Sequence, residues 1–269
     1  MVFILNMEKE TIIIRKSLNG ICEIILNQPE KHNSLSPKMI QELSDTFDML
    51  KEDSKVKVLI ISSSGKSFCA GGDLDWMKKQ IFSDRATRII EANKLANLLY
   101  KMYQFPKPLI AKVEGNAFGG GVGIISVCDI AICSENIRLA LTEVKLGLIP
   151  ATISPYVILK IGSNNAIDLF TSARNFNAQD AKNMGLIKTF CKAEDLQNII
   201  EDETEPFLLN APSAISASKN LVKKLSFKID QETIKFTVEA LADVWENPEA
   251  IEGINAFFEK RKPNWLMET

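Results

Sequence analysis

Two glycine-rich turns constrain this chain more than any other feature: Phe68-Cys69-Ala70-Gly71-Gly72-Asp73-Leu74 and Asn116-Ala117-Phe118-Gly119-Gly120-Gly121-Val122-Gly123. Each directly follows an apolar, strand-like run, at 56–62 and 109–113. Glycine at such places lets backbone approach a ligand closely and leaves N–H groups free to point at it. Two turns of this kind can offer two N–H donors to one oxygen, which is an oxyanion hole built without side chains.

A chain of 269 residues buries roughly 75% of the surface its unfolded form exposes, enough for one large domain or one domain with an appendage. Hydrophobic residues make up 46% and charged residues 25%, so the 13 glycines matter for their clustering rather than their number. With 32 basic and 34 acidic side chains the net charge is −2, which gives no global field for nucleic acid or an anionic membrane, and neither partner is expected. The five cysteines (Cys22, Cys69, Cys128, Cys133, Cys191) are scattered and lack CxxC spacing. They suggest neither a disulfide framework nor a zinc site, and a reduced, cytoplasmic setting is expected. Residues 1–5 are apolar but run into Glu8-Lys9-Glu10, and no window approaches the ~18 apolar residues of a membrane span.

Residues 11–16 and 21–26 are β-rich runs joined through Asn19-Gly20, which predicts an antiparallel hairpin. Ser36-Pro37 predicts the N-cap and first residue of a helix reaching Glu52, with Ile40, Leu43, Phe47 and Leu50 at helical spacing. A strand at 56–62, a helix at 84–104 ended by Pro106 and Pro108, a strand at 109–113, a helix at 120–127 and a strand at 130–133 follow. Beyond Pro150 the patterns are helical, at 155–161, 164–171, 178–184, 193–209, 214–225, 231–244 and 249–260. The distribution predicts an α/β core over 1–205 and a helical region over 206–269, without internal repeats.

Several motifs fail on inspection. Ser64-Gly65-Lys66-Ser67 resembles the end of a phosphate-binding loop, yet Ile60 occupies the place of its required first glycine. The Gly119 to Gly123 cluster has Ser126 where a dinucleotide fingerprint needs its third glycine. The single histidine, His32, sits in a Lys-His-Asn turn far in sequence from any candidate nucleophile, so a serine or cysteine triad lacks its base, and His32 reads as a surface loop residue or, alternatively, as part of a ligand-pocket lining.

Taken together, the two glycine turns, Cys128-Asp129 and Thr142-Glu143-Val144-Lys145-Leu146-Gly147-Leu148-Ile149-Pro150 resemble the enoyl-CoA hydratase/isomerase (crotonase) family, in order and spacing from Thr11 to Pro263. More narrowly, Asp75-Trp76-Met77 and the run from Ser126 through Pro155 resemble the bacterial 3-methylglutaconyl-CoA hydratases of leucine breakdown and the related hydratases of acyclic terpene breakdown. The resemblance implies a spiral of ββα turns with a helical C-terminal oligomerisation region, assembly as a homotrimer or dimer of trimers, and an acyl-CoA thioester substrate. It implies no metal or redox cofactor, since coenzyme A enters as part of the substrate.

By the same resemblance the thioester oxygen is held by the backbone N–H groups of Ala70 and Gly120, and Glu143 is the acid/base. Loss of one such donor lowers the rate by about 10²–10³. Contacts to the CoA ester are expected from Lys31, Ala70, Gly71, Gly72, Asp73, Leu74, Gly120 and Lys260, the last in the closing run Glu259-Lys260-Arg261-Lys262-Pro263. From the sequence itself Asp73 reads as a turn-stabilising carboxylate, and Trp76 and Met77 as wall or lid of the acyl pocket or as core. Family hydratases commonly place two glutamates around the attacking water, and the first of these positions falls on Gly123, which has no side chain. Three activities fit: hydration of an α,β-unsaturated acyl-CoA, with branched esters such as 3-methylglutaconyl-CoA among the candidates; double-bond isomerisation by one glutamate; and binding of CoA esters without turnover.

Overall fold

The asparagine–glycine turn works as its sequence predicts. In the computed structural model, which describes residues 3–226 and 228–266, a hairpin pairs Ile14 with Ile24 across antiparallel strands. These are β2 (Ile12–Ser17) and β3 (Ile21–Leu26), and β1 (Phe3–Glu8) adds an antiparallel edge strand that the sequence reading did not foresee. Met1 and Val2 of the apolar start lie outside the described residues. Helix α1 (Pro37–Glu52) follows, its N–H of Met39 donating to Ser36 Oγ at 3.2 Å as an N-cap should.

From there the chain repeats one pattern. A long strand is followed by a short one, then by helix: β4 (Val58–Ser63) by β5 (Ser67–Cys69), then α2 (Leu74–Ile81) and α3 (Arg85–Tyr103). Next come β6 (Leu109–Val113), β7 (Asn116–Phe118) and α4 (Gly120–Val127). The third turn is β8 (Ile130–Ser134), β9 (Leu139–Ala140), a 3-10 turn at Glu143–Leu146, and α5 (Ser154–Ser172). Helix α6 (Ala178–Asn183) and strand β10 (Thr189–Cys191) complete the sheet region. The long strands build a seven-stranded sheet in the order β1-β2-β3-β4-β6-β8-β10, and the short ones a separate parallel sheet in the order β5-β7-β9. This is the ββα spiral the resemblance implies.

Parallel strands covered on both faces must be apolar throughout, and β4 is buried along its whole length. One face of the large sheet packs Leu26, Leu59, Ile61 and Ala111 against Leu43 and Phe47 of α1 and Leu99 of α3. The other packs Ile21, Val58, Ile60, Ile110 and Ile132 under Leu196 and Ile200 of α7 (Leu196–Leu209). Helix α7 carries Pro206 within it and spans the 205/206 boundary expected from the sequence. Helices α8 (Pro212–Leu225), α9 (Gln231–Trp245) and α10 (Pro248–Phe258) form the C-terminal region. Helix α5 breaks at Gly162 (φ 74°, ψ 160°), which accounts for two helical patterns in the sequence over one element.

Strands of two or three residues are too short for alternation to register, and that is why β5, β7 and β9 go unread in the sequence. Their sheet depends on close backbone approach: a methyl on Gly121 of α4 would overlap the carbonyl oxygen of Cys69 at the end of β5. Neither backbone can yield without disturbing the small sheet. Gly121→Ala is therefore expected to lose about 1–3 kcal/mol in denaturant unfolding, and an unchanged stability would show that α4 does not need this contact.

Candidate active site

Each strand of the small sheet ends in a segment that carries chemistry. After β5 comes Ala70-Gly71-Gly72, after β7 comes Gly119-Gly120, and after β9 comes Leu141-Thr142-Glu143. The register sets Cys69 beside Ala117 and Phe118 beside Ala140, and the Gly119 N–H donates to Ala140 O at 2.9 Å. The three carboxyl ends therefore stand side by side, where open parallel sheets place their ligands.

The first donor differs from the sequence expectation. The Ala70 N–H donates to His32 O at 3.0 Å and is spent inside the fold. Two residues on, Gly72 forms a parallel bridge with Leu35, whose N–H donates to Gly71 O at 2.7 Å. In a parallel bridge the groups that face the partner belong to the residues before and after. The Gly72 N–H is thereby turned to the opposite side, and no acceptor among the described residues takes it. Gly71, at φ +92°, makes the reversal between these two residues possible. Gly120, the first residue of α4, is an N–H with no intrahelical acceptor. It abuts the same turn, its nitrogen 3.6 Å from where a Gly71 side chain would begin. Gly72 and Gly120, rather than Ala70 and Gly120, present the free pair.

Glu143 lies against Gly119, the residue before Gly120. Gly119 adopts φ 48°, ψ −114°, open only to glycine, and a methyl there would stand 2.8 Å from Glu143 Oε1. The other carboxylate oxygen, Oε2, is closed to water and has no hydrogen-bond partner, although the residue as a whole is half-buried. Burial pushes the Glu143 carboxyl from 4.5 up to about 7, with its own backbone N–H pulling weakly the other way. An acid that titrates near neutrality can both take and return a proton.

Gly123 is no empty slot. A side chain there would begin within 2.9 Å of Ile153 Cβ and closer still to its Cγ2, so Ile153 fills the space beside it. Ile153 is buried and apolar. The sequence reading missed this residue because its partner is thirty positions away in the chain and no local pattern marks the contact.

The remaining expected contacts fall in different places. Asp73 is the N-cap of α2: its Oδ1 accepts the Trp76 N–H at 2.9 Å and its Oδ2 the Ser34 hydroxyl at 3.3 Å, so the carboxylate serves the turn rather than a ligand. Leu74 opens α2 and is exposed. Lys31 is exposed on the loop leading to Leu35, whose side chain lies against Gly120. Lys260 is exposed just past α10, while Gly253 of that helix packs on Leu146, three residues after Glu143. His32 is exposed, as expected, with its Nδ1 3.1 Å from Ser67 Oγ. Met77 is buried with Leu148, Trp245 and Ile254, its Sδ 3.8 Å from where a Gly72 side chain would begin, and Trp76 packs at the edge of that cluster. A cavity of about 950 Å³ at the far end of α4, lined by Tyr103, Cys128, Leu159, Phe207 and Lys219, holds none of the residues of the site.

The sealed carboxyl makes stability depend on pH. Its folded value of about 7 exceeds its free value of 4.5, so its contribution is fully present below pH 4.5 and is lost as pH rises to 7. That window corresponds to about 3 kcal/mol. Glu143→Gln should match the parent below pH 4.5 and exceed it in unfolding free energy above pH 7. A difference that does not widen with pH contradicts the sealed carboxyl.

The arrangement is similar to that of known proteins. A Thermus thermophilus protein is 32% identical over 247 residues, spanning 91% of this chain and 97% of its own. The short-chain-enoyl-CoA hydratase of Clostridium acetobutylicum is 30% identical over 95% of this chain and 97% of its own. Among solved structures, an enoyl-CoA hydratase from Shewanella pealeana is 38% identical with a TM-score of 0.78, over 95% of this chain and 96% of that one. Residues 16–268 match the family described as enoyl-CoA hydratase/isomerase. With its ββα spiral, its paired glycine N–H groups and Glu143 beside them, the chain belongs to the enoyl-CoA hydratase/isomerase family.

Proposed function

We propose that this protein adds water across the double bond of an α,β-unsaturated acyl-CoA, with Glu143 as the sole acid/base. The observation that carries the reading is the Glu143 carboxyl, raised to about 7 and set against the start of α4 where the Gly72 and Gly120 N–H groups are unclaimed. The thioester oxygen accepts from both N–H groups, which draws electron density from the β-carbon. Glu143 takes a proton from a water as its oxygen bonds to that carbon, and the electron pair of the double bond moves onto the thioester oxygen. Negative charge there is met by two fixed dipoles and the positive end of α4. Glu143 then returns its proton to the α-carbon, and the carboxylate is regenerated.

An uncharged acyl chain fits this site better than 3-methylglutaconyl. A second carboxylate on the substrate calls for a cation in the acyl pocket, and Arg88, the buried cation among the described residues, has its donors engaged by Gln80, Ile81, Trp245 and Glu246. The side chains packed behind Gly72, Met77 with Leu148 and Ile254, are apolar and carry no charge to meet such a group. Assembly as a homotrimer or dimer of trimers is supported by exposed Leu221, Val222 and Leu225 on α8 and Phe236 on α9.

Double-bond isomerisation is the second reading, favoured by Ile153 occupying the space beside Gly123. One carboxylate suffices to move a proton between two carbons, and no water need enter. Incubation with crotonyl-CoA in ¹⁸O-water separates the two: label in a hydroxyacyl product supports hydration, and its absence, with conversion of a 3-enoyl-CoA to the 2-enoyl isomer, supports isomerisation. Under either reading kcat/KM should rise with pH to a plateau above about 7. Glu143→Gln should lower it by roughly 10²–10⁴. Gly123→Glu should bring no gain in hydration while Ile153 remains, and a faster Gly123→Glu enzyme contradicts the filled slot.

A further inference from the structure

We infer that Arg88 is a positioning residue for the oxyanion site: by tying the C-terminal ends of α2 and α9 together it holds α2, and through it the Gly72 N–H, in the orientation that catalysis needs. The inference rests on the reading of Gly72 as a donor to the thioester oxygen.

Arg88 heads the buried stripe of α3, followed by Ala92, Ala96 and Leu99. A guanidinium only 7% exposed needs compensation, because a buried cation without partners is strongly disfavoured. The compensation comes almost wholly from helix ends. Arg88 Nε donates to Gln80 O at 2.9 Å and Nη2 to Ile81 O at 3.2 Å, the last two carbonyls of α2. Nη1 donates to Trp245 O at 3.2 Å, the last carbonyl of α9, and to Glu246 Oε1 at 2.5 Å. The guanidinium also lies 5.3 Å from the centre of the Trp245 ring. Helix C-termini carry unpaired carbonyls and the negative end of the helix dipole, so one planar cation satisfies both ends at once.

Helix α2 transmits this to the site. It begins at Asp73, its N-cap, directly after Gly72, and with eight residues it is a rod of about 12 Å. One end carries the N–H donor and the other is held by Arg88. Between them, Met77 rests against Gly72 on one side and the α10 side chain Ile254 on the other. Beside it, Gln80 Oε1 is buried with no hydrogen-bond partner among the described residues. Removing the guanidinium leaves Ile81 O and Trp245 O unpaired and removes the polar tie between the ends of α2 and α9, leaving only the apolar packing of Trp76, Met77 and Ile81 to hold α2 against the C-terminal helices. Lysine at this position keeps the charge but cannot fork to two helix ends.

The test compares the parent protein with Arg88→Met and Arg88→Lys, using cinnamoyl-CoA as an optical probe whose absorbance moves to the red when its thioester carbonyl is polarised. The parent should show the red shift. Arg88→Met should bind the probe yet lose most of the shift, with kcat on crotonyl-CoA lowered by at least about tenfold, up to the 10²–10³ that loss of one donor brings, and KM within about threefold. Arg88→Lys should fall between the two, and it decides the matter if the methionine variant does not fold. A folded variant with reduced thermal stability but parental red shift and kcat makes Arg88 a purely structural tie and overturns the inference. A parent that binds the probe without any red shift overturns the oxyanion reading itself, and this inference with it.

Discussion

The hydrogen-bonded register of three very short parallel strands is the constraint on which everything else in the site depends. Backbone pairing aligns Cys69 with Ala117 and Phe118 with Ala140, with the Asn116 side chain accepting the Arg138 N–H beside it. That alignment brings the Gly72 and Gly120 N–H groups and the Glu143 carboxylate into one place, although they come from turns scattered along the chain. A donor fixed by backbone costs no reorganisation when charge develops, which is the advantage of such a site over one built from mobile side chains. The same dependence explains why side chains are missing where the segments touch: at Gly121 against Cys69 O and at Gly119 against Glu143.

Around that frame the chemistry is shaped by exclusion of water. Glu143 Oε2 has neither solvent nor partner, and Ile153 closes the space where another side chain could stand. In so apolar a chamber the ionised carboxylate is disfavoured, and its pKa rises to about 7. The low dielectric that disfavours the charge also strengthens each interaction with an oxyanion. In the proposed reaction, one carboxylate near neutrality, a pair of fixed N–H dipoles and a helix start together move a proton to and from the α-carbon of a thioester.

Much of this was legible in the sequence, and the exceptions have physical causes. The Asn19-Gly20 hairpin, the Ser36-Pro37 helix start and the paired helices around Gly162 follow from local rules and stand in the structure as expected. The glycine turns mark the segments in which the Gly72 and Gly120 N–H groups stand without an acceptor. Which residue in the first turn presents its N–H was not readable, because it depends on the φ +92° of Gly71 and on His32 O claiming the Ala70 N–H from another part of the chain. Ile153 beside Gly123, and Arg88 between α2 and α9, are likewise long-range facts. Arg88 stands at the head of the buried stripe of α3, one turn before Ala92, and no local pattern in the sequence marks its role.

The central claim is that Gly72 and Gly120, with Ala70 committed elsewhere, hold the thioester oxygen. A crystal structure of the protein with a bound, unreactive acyl-CoA analogue tests it most directly. The thioester oxygen is expected at about 2.7–3.1 Å from both the Gly72 and Gly120 nitrogens, with the Ala70 N–H still on His32 O and the Glu143 carboxylate facing the acyl α- and β-carbons. A thioester oxygen bonded to the Ala70 N–H, or lying away from the Gly72 and Gly120 nitrogens, would contradict it.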